Sequence, residues 1–413
     1  MQISLIEFSV ENFKIFKEKA TFSMLARKSA HTFESNGENL LKTTLIYGPN
    51  ASGKSTLLQA LDAMRYWITN STKSEDGIVL PYTNFAFSDE VKDKPVFWEV
   101  VFSLGKEVYK YNFSLLKDRV FQENLFEILA DGKEKKLISR TEDEINLFAE
   151  FKTSEDLKTI TKTRKGTLFL SAANQWNNKL AGKIVKALGG NINVIQGTNS
   201  NNYMGFTIKM LKENIDAKEK ILNFLKKADF CISEIDVTTI DIPDQVLTQI
   251  KALNISKNIP EKADTITFSH PRFNSNNEQS GFEKIDMRHE SIGTQKFFHV
   301  LGPVIDTIEY GKVLLIDEFD NSLHPLLTKF IIDIFEKNNP NNAQLIVTTH
   351  DTSLLSYKLD FDKTQFWFTE KNEFGTAKLF SLAEFNMRND TEFSKKYLEG
   401  RFGALPFIES NEK

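Results

Sequence analysis

Residues 48–55 read Gly48-Pro49-Asn50-Ala51-Ser52-Gly53-Lys54-Ser55 and match Gly-x-x-x-x-Gly-Lys-Ser/Thr at every fixed position. The short apolar run Thr44-Leu45-Ile46-Tyr47 precedes them and predicts a strand. A segment from Thr56 to Ile68 follows, with Leu57, Leu58, Leu61, Met64 and Ile68 at the spacing of one buried helical stripe. Strand, loop and helix thus come in the order that a phosphate-binding loop needs. Gly48 and Gly53 let the backbone turn so that successive N–H groups converge on an anion, and the helix N-terminus adds its positive dipole end. Lys54 is expected to reach the β- and γ-phosphates, and the Ser55 hydroxyl to ligate Mg²⁺. Pro49, Asn50, Ala51 and Ser52 form the body of the loop, and Thr56 opens the helix behind it.

Three further stretches extend this reading. Val313-Leu314-Leu315-Ile316 is apolar without alternation, as a strand covered on both faces requires, and it ends in Asp317-Glu318. Asp317 is expected to support the Mg²⁺ shell, and Glu318 to orient and polarise a water in line with the γ-phosphate. Upstream, Ser291-Ile292-Gly293-Thr294-Gln295 opens a helical segment over Phe297 to Ile308. There Ser291, Gly293 and Gln295 offer a hydroxyl, a flexible backbone and a helix N-terminus to an anion. Downstream, Leu345-Ile346-Val347-Thr348-Thr349-His350 predicts another buried strand, ending in a polar pair and a histidine placed for a γ-phosphate.

Composition bounds the rest. The chain has 413 residues, 40% hydrophobic and 26% charged, with a net charge of −4. This suggests two domains, or one with a large insertion, and excludes a general polybasic nucleic-acid binder. No stretch has the length of a membrane span and the start lacks a signal peptide, so a cytoplasmic protein without membrane contact is expected. The single cysteine, Cys231, reads as a buried inert thiol in an apolar neighbourhood. The 35 phenylalanines read as core packing.

Along the chain, Ile6, Phe8 and Val10 alternate with polar residues and predict a strand, with a second near Ala20 to Leu25. Arg27 to Lys42 reads as a loop. Val96 to Leu104 and Val108 to Leu116 predict an antiparallel hairpin, with Arg119 to Leu129 as a third strand. From Thr141 to Ile259 helical segments at Lys179–Leu188 and Gly205–Phe230 alternate with polar loops, with breakers at Gly189-Gly190-Asn191 and Asn199-Ser200-Asn201-Asn202. Three parts are expected: an N-terminal lobe over 1–140, an insertion over 141–260 and a C-terminal lobe over 261–413. Lys162, Arg164, Lys165, Lys226 and Lys227 read as solvated helix faces.

The phosphate loop, Ser-x-Gly-x-Gln, the apolar strand ending in Asp-Glu and the strand-end His, in that order along the chain, resemble the ABC-type ATPases of the SMC, RecF and OLD group, as does the opening Glu11-Asn12-Phe13-Lys14. Leu323-His324-Pro325, Gln365 to Glu370 and the tail Tyr397 to Pro406 look like the RloA/AbiLi-type proteins, bacterial ATPases linked to restriction loci and phage defence. The resemblance implies an α/β fold: an ABC-type P-loop core with a mixed sheet, an antiparallel β-subdomain and a mainly helical insertion. It also implies ATP and Mg²⁺ as ligands, ATP hydrolysis, and head-to-head assembly in which Ser291, Gly293 and Gln295 of one chain close over ATP held by Lys54 and Ser55 of another. No glutamine lies between Gln59 and Gln122, so the glutamine that normally helps hold Mg²⁺ in that group has no assigned place. Two roles follow as expectations. One is a sensor or regulator in antiphage defence, forming homodimers or higher oligomers and controlling a separately encoded effector. The other is a repair or recombination ATPase that clamps DNA.

Overall fold

In β1 (Ile3–Glu11), nearly every residue is buried, because this strand runs inside a sheet rather than at its edge. The structure, a computed structural model, describes residues 2–29, 31–73, 82–117, 119–196, 201–228, 230–252, 261–356, 361–386 and 392–405. β2 (Ala20–Ser23) returns beside β1, and β3 (Thr32–Ser35) and β4 (Glu38–Leu41) form a hairpin. That hairpin corrects the expected loop over Arg27 to Lys42. Its signal was Asn36-Gly37, which both have positive φ, as a two-residue hairpin turn demands.

β5 (Thr43–Tyr47), wholly buried, leads into α1 (Lys54–Asn70), whose Leu57, Leu58, Leu61, Met64, Trp67 and Ile68 are buried. Each such side chain contributes about 1.5–3 kcal/mol through burial. The expected hairpin is β6 (Val96–Leu104) with β7 (Glu107–Leu116), and the third strand is β8 (Arg119–Ile128), followed by β9 (Glu134–Arg140) and β10 (Ile145–Leu147). Together they make a seven-stranded antiparallel sheet in the order β10-β9-β8-β7-β6-β1-β2.

The chain then forms α2 (Ser154–Lys162), α3 (Phe169–Gln175), α4 (Lys179–Gly190) and β11 (Ile192–Ile195). Buried Glu123 of β8 ties α3 to the antiparallel sheet. Its carboxylate accepts from the N–H groups of Phe169 and Leu170 at 2.7 and 2.9 Å and from the Tyr111 hydroxyl at 2.9 Å, with the Arg140 guanidinium at 3.5 Å. A buried charge is tolerable only when satisfied in this way.

Next come α5 (Asn201–Glu213), α6 (Ile215–Lys227), β12 (Glu234–Asp241), α7 (Asp244–Ala252), β13 (Lys262–Phe273) and β14 (Gln279–Asp286). α8 (Ile292–Tyr310), β15 (Val313–Ile316), α9 (Pro325–Lys337), β16 (Gln344–Thr348), β17 (Phe366–Lys371), β18 (Ala377–Ser381) and α10 (Phe393–Leu398) complete the chain. The expected helix over Gly205 to Phe230 is two helices, because Asn214 leaves the helical conformation and caps α6 through its side chain. The breaker Gly189-Gly190-Asn191 ends α4, which runs two residues beyond the expected Leu188 to Gly190, with Asn191 as its C-cap. Cys231 is exposed, at φ +51°, so the expectation of a buried thiol is corrected. Asn199-Ser200 and Pro406 lie outside the described residues.

The chain forms two units, and the limits expected at 140 and 260 each fall inside one of them. The first comprises residues 1–197, 307–321 and 331–413, the second 198–306 and 322–330. In the first, a six-stranded sheet runs β11-β15-β16-β5-β17-β18, parallel except for the last pair. β11, from the stretch expected to be an insertion, is its edge strand. The second unit holds the antiparallel sheet β12-β13-β14.

Within the second unit α5 and α8 approach closely. A Cβ on Gly302 would meet the Thr207 hydroxyl at 2.3 Å, and that hydroxyl donates to the His299 carbonyl at 2.9 Å. The His299 side chain is buried with neither ring nitrogen bonded to any of the described residues, and burial pushes it down to about 4. The unfolded chain, with His near 6.5, therefore binds more protons than the folded chain between pH 6.5 and 4. Stability due to neutral His299 is complete above that window and is lost as pH falls through it. Between pH 7 and 5 the loss is about 2 kcal/mol. Urea unfolding of the wild type and of His299→Leu at both pH values should show the variant losing less by roughly that amount.

Candidate nucleotide site

Parallel pairing brings the sequence motifs to one end of the six-stranded sheet. Thr348 pairs with Ile46, Val347 with Ile316, and Phe368 with Tyr47, so the residues after β5, β15 and β16 all emerge at the carboxyl edge. Open α/β sheets bind ligands at this edge.

The loop after β5 is shaped for backbone approach. Gly48 has φ +150°, and a Cβ there would stand 2.4 Å from the Thr369 carbonyl oxygen and 2.6 Å from the Ser52 hydroxyl. Gly53, at φ +122°, sits at the N-cap of α1, where no side chain caps the helix and no acid occupies the first turn. The partial positive charge of that terminus is therefore not neutralised by its own side chains. Ala51 adopts φ +60° at the loop tip, and Asn50 beside it is exposed. The Ser52 and Thr369 hydroxyls are 2.6 Å apart, tying the loop to β17.

Lys54 is buried and folded over the loop, its Nζ donating to the carbonyls of Gly48 at 2.7 Å and Pro49 at 3.1 Å. Burial lowers its ammonium to about 8, against the opposing pull of Asp317, Asp320 and Glu318. Ser55 Oγ donates to Asp317 Oδ1 at 3.0 Å, and Thr348 Oγ1 donates to the same oxygen at 2.6 Å. The Glu318 N–H in turn donates to Thr348 Oγ1 at 2.8 Å. Thr348 thus fixes both carboxylate-bearing residues. Glu318 has φ +49°, an uncommon backbone conformation for a side chain with a Cβ and a local strain that its neighbours must hold.

His350 is anchored through its backbone, with its N–H shared between the Asp320 carboxylate oxygens at 3.1 and 3.2 Å. Its imidazole is shifted down by desolvation first and by the Lys54 charge second, against Asp320, Glu318 and Asp317. The neutral ring is therefore favoured at neutral pH. The adjacent Asp351 carbonyl accepts from the Tyr47 hydroxyl at 3.0 Å.

Among the described residues no cluster of three or more His, Cys, Asp or Glu could hold a metal alone. Ser55 and Asp317 supply two hard oxygen donors side by side. That set suits Mg²⁺, which keeps several waters and arrives with phosphate oxygens instead of occupying an all-protein cage. The loop and the uncapped helix suit the phosphates themselves.

Ser291, Gly293 and Gln295 belong to the second unit. Ser291 Oγ accepts from the Thr294 N–H at 3.1 Å, so it caps α8, and Gln295 Nε2 donates back to the Glu290 carbonyl at 2.9 Å. A Cβ on Gly293 would meet the Ser322 carbonyl at 3.1 Å. Ser291 and Ile292 are exposed, and Glu290 is held by His270 at 2.7 Å. The helix start is thus presented with its polar side chains turned into local bonds.

Sequence reasoning missed three contributors. Thr348 was read only as part of a polar pair, while Asp320 and Thr369 were given no role. Thr348 ends β16, and Thr369 lies in β17 just past its parallel pairing with β5, both where a small hydroxyl can reach a neighbouring loop, and that position was the available signal.

Fold and site together define a P-loop protein with an AAA domain. The chain belongs to the family described as "AAA domain, putative AbiEii toxin, Type IV TA system", whose model matches residues 43–356. No curated protein matches it significantly. Among solved structures, the SMC head domain from Thermotoga maritima is 14% identical, covering 92% of this chain and 99% of that one at a TM-score of 0.43. An SMC head bound to the C-winged helix domain of ScpA is 13% identical, covering 91% and 97% at 0.45. An SMC head with an extended coiled coil, bound to the C-terminal domain of ScpA derived from Pyrococcus furiosus, is 12% identical, covering 97% and 100% at 0.41. No described helix is long and apolar enough to cross a membrane.

Proposed function

We propose that this chain binds and hydrolyses ATP and uses the nucleotide to govern its own assembly, as a regulator of a separately encoded effector in antiphage defence. The observation that carries the ATPase reading is the convergence of Ser55, Asp317, Thr348 and Glu318 beside a buried Lys54. The family description, with its reference to a toxin system, supports the defence setting.

In this reading the loop N–H groups and the N-terminus of α1 hold the phosphates, and Lys54 exchanges its two carbonyl partners for phosphate oxygens. Ser55 and Asp317 would hold Mg²⁺, whose chemistry is to neutralise charge on the β- and γ-phosphates. Glu318 orients the attacking water and draws off its proton, and the neutral His350 ring contacts the γ-phosphate. The exposed helix start at Ser291 and Gly293 closes over the nucleotide of a second copy, so that assembly lasts while the γ-phosphate does.

Ser291→Arg tests the shared site. It should leave ATP affinity within about two-fold, since the first unit alone holds the nucleotide, yet abolish ATP-dependent dimers in light scattering after size exclusion. Normal dimerisation of that variant with ATP would rule out the shared site. Purification with a neighbouring gene's product would support the effector role, whereas steeply salt-dependent binding to plain duplex would favour a DNA clamp.

A further inference from the structure

We propose that the C-terminal tail, Tyr397 to Ala404, is a strap that positions His350 for the γ-phosphate, acting through Tyr47. The inference rests on His350 meeting the γ-phosphate, and it gives a task to a stretch that the nucleotide reading leaves unused.

His350 does not set its own direction. Its imidazole makes no hydrogen bond to any described residue, so the ring points where its backbone is held. On one side the Asp320 carboxylate holds the His350 N–H. On the other, the Asp351 N–H donates to Thr349 Oγ1 at 3.0 Å, the Asp351 carboxylate accepts from the Ser353 N–H at 2.9 Å, and the Asp351 carbonyl accepts from the Tyr47 hydroxyl at 3.0 Å. The first two of these bonds are local. The third ties this side of His350 to the end of β5, one residue before Gly48.

Tyr47 is in turn fixed by the tail. Its side chain is fully buried, with the Tyr397 ring edge-on at 5.9 Å and the Phe368 ring at 6.0 Å. Tyr397 also stacks on Phe368 at 5.4 Å, and Phe402 packs on Phe368 at 5.7 Å. The backbone that brings these rings together is sharply bent, with Gly400, Gly403 and Ala404 at φ +76°, +67° and +53°. The Tyr397 hydroxyl closes the bend by donating to the Ala404 carbonyl at 2.9 Å. From β17 the Glu370 carboxylate clasps it, accepting from the Ala404 N–H at 3.2 Å and lying where a Cβ on Gly403 would stand 2.9 Å away.

A terminal segment frays unless something ties it down. This one is tied by a carboxylate, a buried hydroxyl and two rings to the strands that carry the phosphate loop and its Thr369 bridge. Aromatic packing alone would stabilise the sheet and do no more. What goes further is the one hydroxyl that leaves this cluster for the residue beside His350. Tyr47 and the tail are thus positioning residues, which touch the reaction only through His350.

The test is a double-mutant cycle on hydrolysis by the full chain, with ATP affinity read by calorimetry. Tyr47→Phe keeps the ring and deletes the hydroxyl. It should lower kcat roughly three- to ten-fold, the contribution of one hydrogen bond, with ATP affinity within about two-fold. Gly403→Ala, which drives a methyl against the Glu370 carboxylate, should act in the same direction from the tail. In a His350→Ala background neither substitution should slow hydrolysis further, a coupling that general loosening of the core does not produce. Wild-type kcat in Tyr47→Phe, or the same fold-loss with and without the His350 imidazole, would overturn the strap alone. His350→Ala hydrolysing ATP at the wild-type rate would overturn both the strap and the reading beneath it.

Discussion

Lys54→Ala removes most nucleotide affinity, by about 10- to 100-fold, as read by calorimetry with ATP and Mg²⁺. The magnitude follows from deleting a charge-assisted contact, about 1.5–3 kcal/mol, inside a loop that excludes much of the water able to replace it. The wild-type amine is already desolvated and lies against two carbonyls, so phosphate replaces partners it has instead of ordering a free side chain. Its ammonium, lowered to about 8, also sets a pH signature. Above that value the free protein holds a neutral amine, and binding must first recapture a proton. ATP affinity should fall as pH rises from 7.5 to 9.5 in the wild type and stay flatter in Lys54→Ala. An equally steep fall in both proteins would assign the titration elsewhere.

The second large effect is on turnover. Glu318→Gln should keep ATP affinity within a few-fold and slow hydrolysis about 10²- to 10⁴-fold, the usual contribution of a positioned general base. The amide keeps the carboxylate's shape but cannot take the proton. The backbone bond from the Glu318 N–H to Thr348 does not depend on the side chain, so the local turn should persist. With hydrolysis slowed, dimers formed with ATP should outlast those of the wild type on size exclusion. Steady-state phosphate release indistinguishable from wild type would remove Glu318 from its role.

Much of this arrangement was legible in the chain, for reasons that differ by element. The loop at Gly48–Ser55 is local in sequence: its two glycines, lysine and serine lie within eight residues, so spacing alone identifies it. β15 and β16 could be read because a strand covered on both faces must be apolar throughout, and both are fully buried. Thr348 bridging Asp317 and Glu318 depends on two strands lying side by side, which no local pattern records. Other misses were local but underweighted. Asn36-Gly37 marks a hairpin in four-residue strands too short to show alternation, and Asn214 is an N-cap inside what reads as one amphipathic run. β11 lies in the stretch 141–260 yet pairs with β15 in the central sheet, long-range pairing that composition cannot reveal.

That sheet's strand order also governs when the chain becomes competent. β5 lies between β16 and β17, so both of its neighbours are made hundreds of residues after it during synthesis. While the polypeptide is still emerging, Thr43–Tyr47 is an apolar strand with two open edges, a state prone to mispairing. Closing it requires contacts of high sequence separation, which form slowly. The pocket is thus among the last features to mature, and a nascent molecule remains unable to capture its ligand until its final third has left the ribosome.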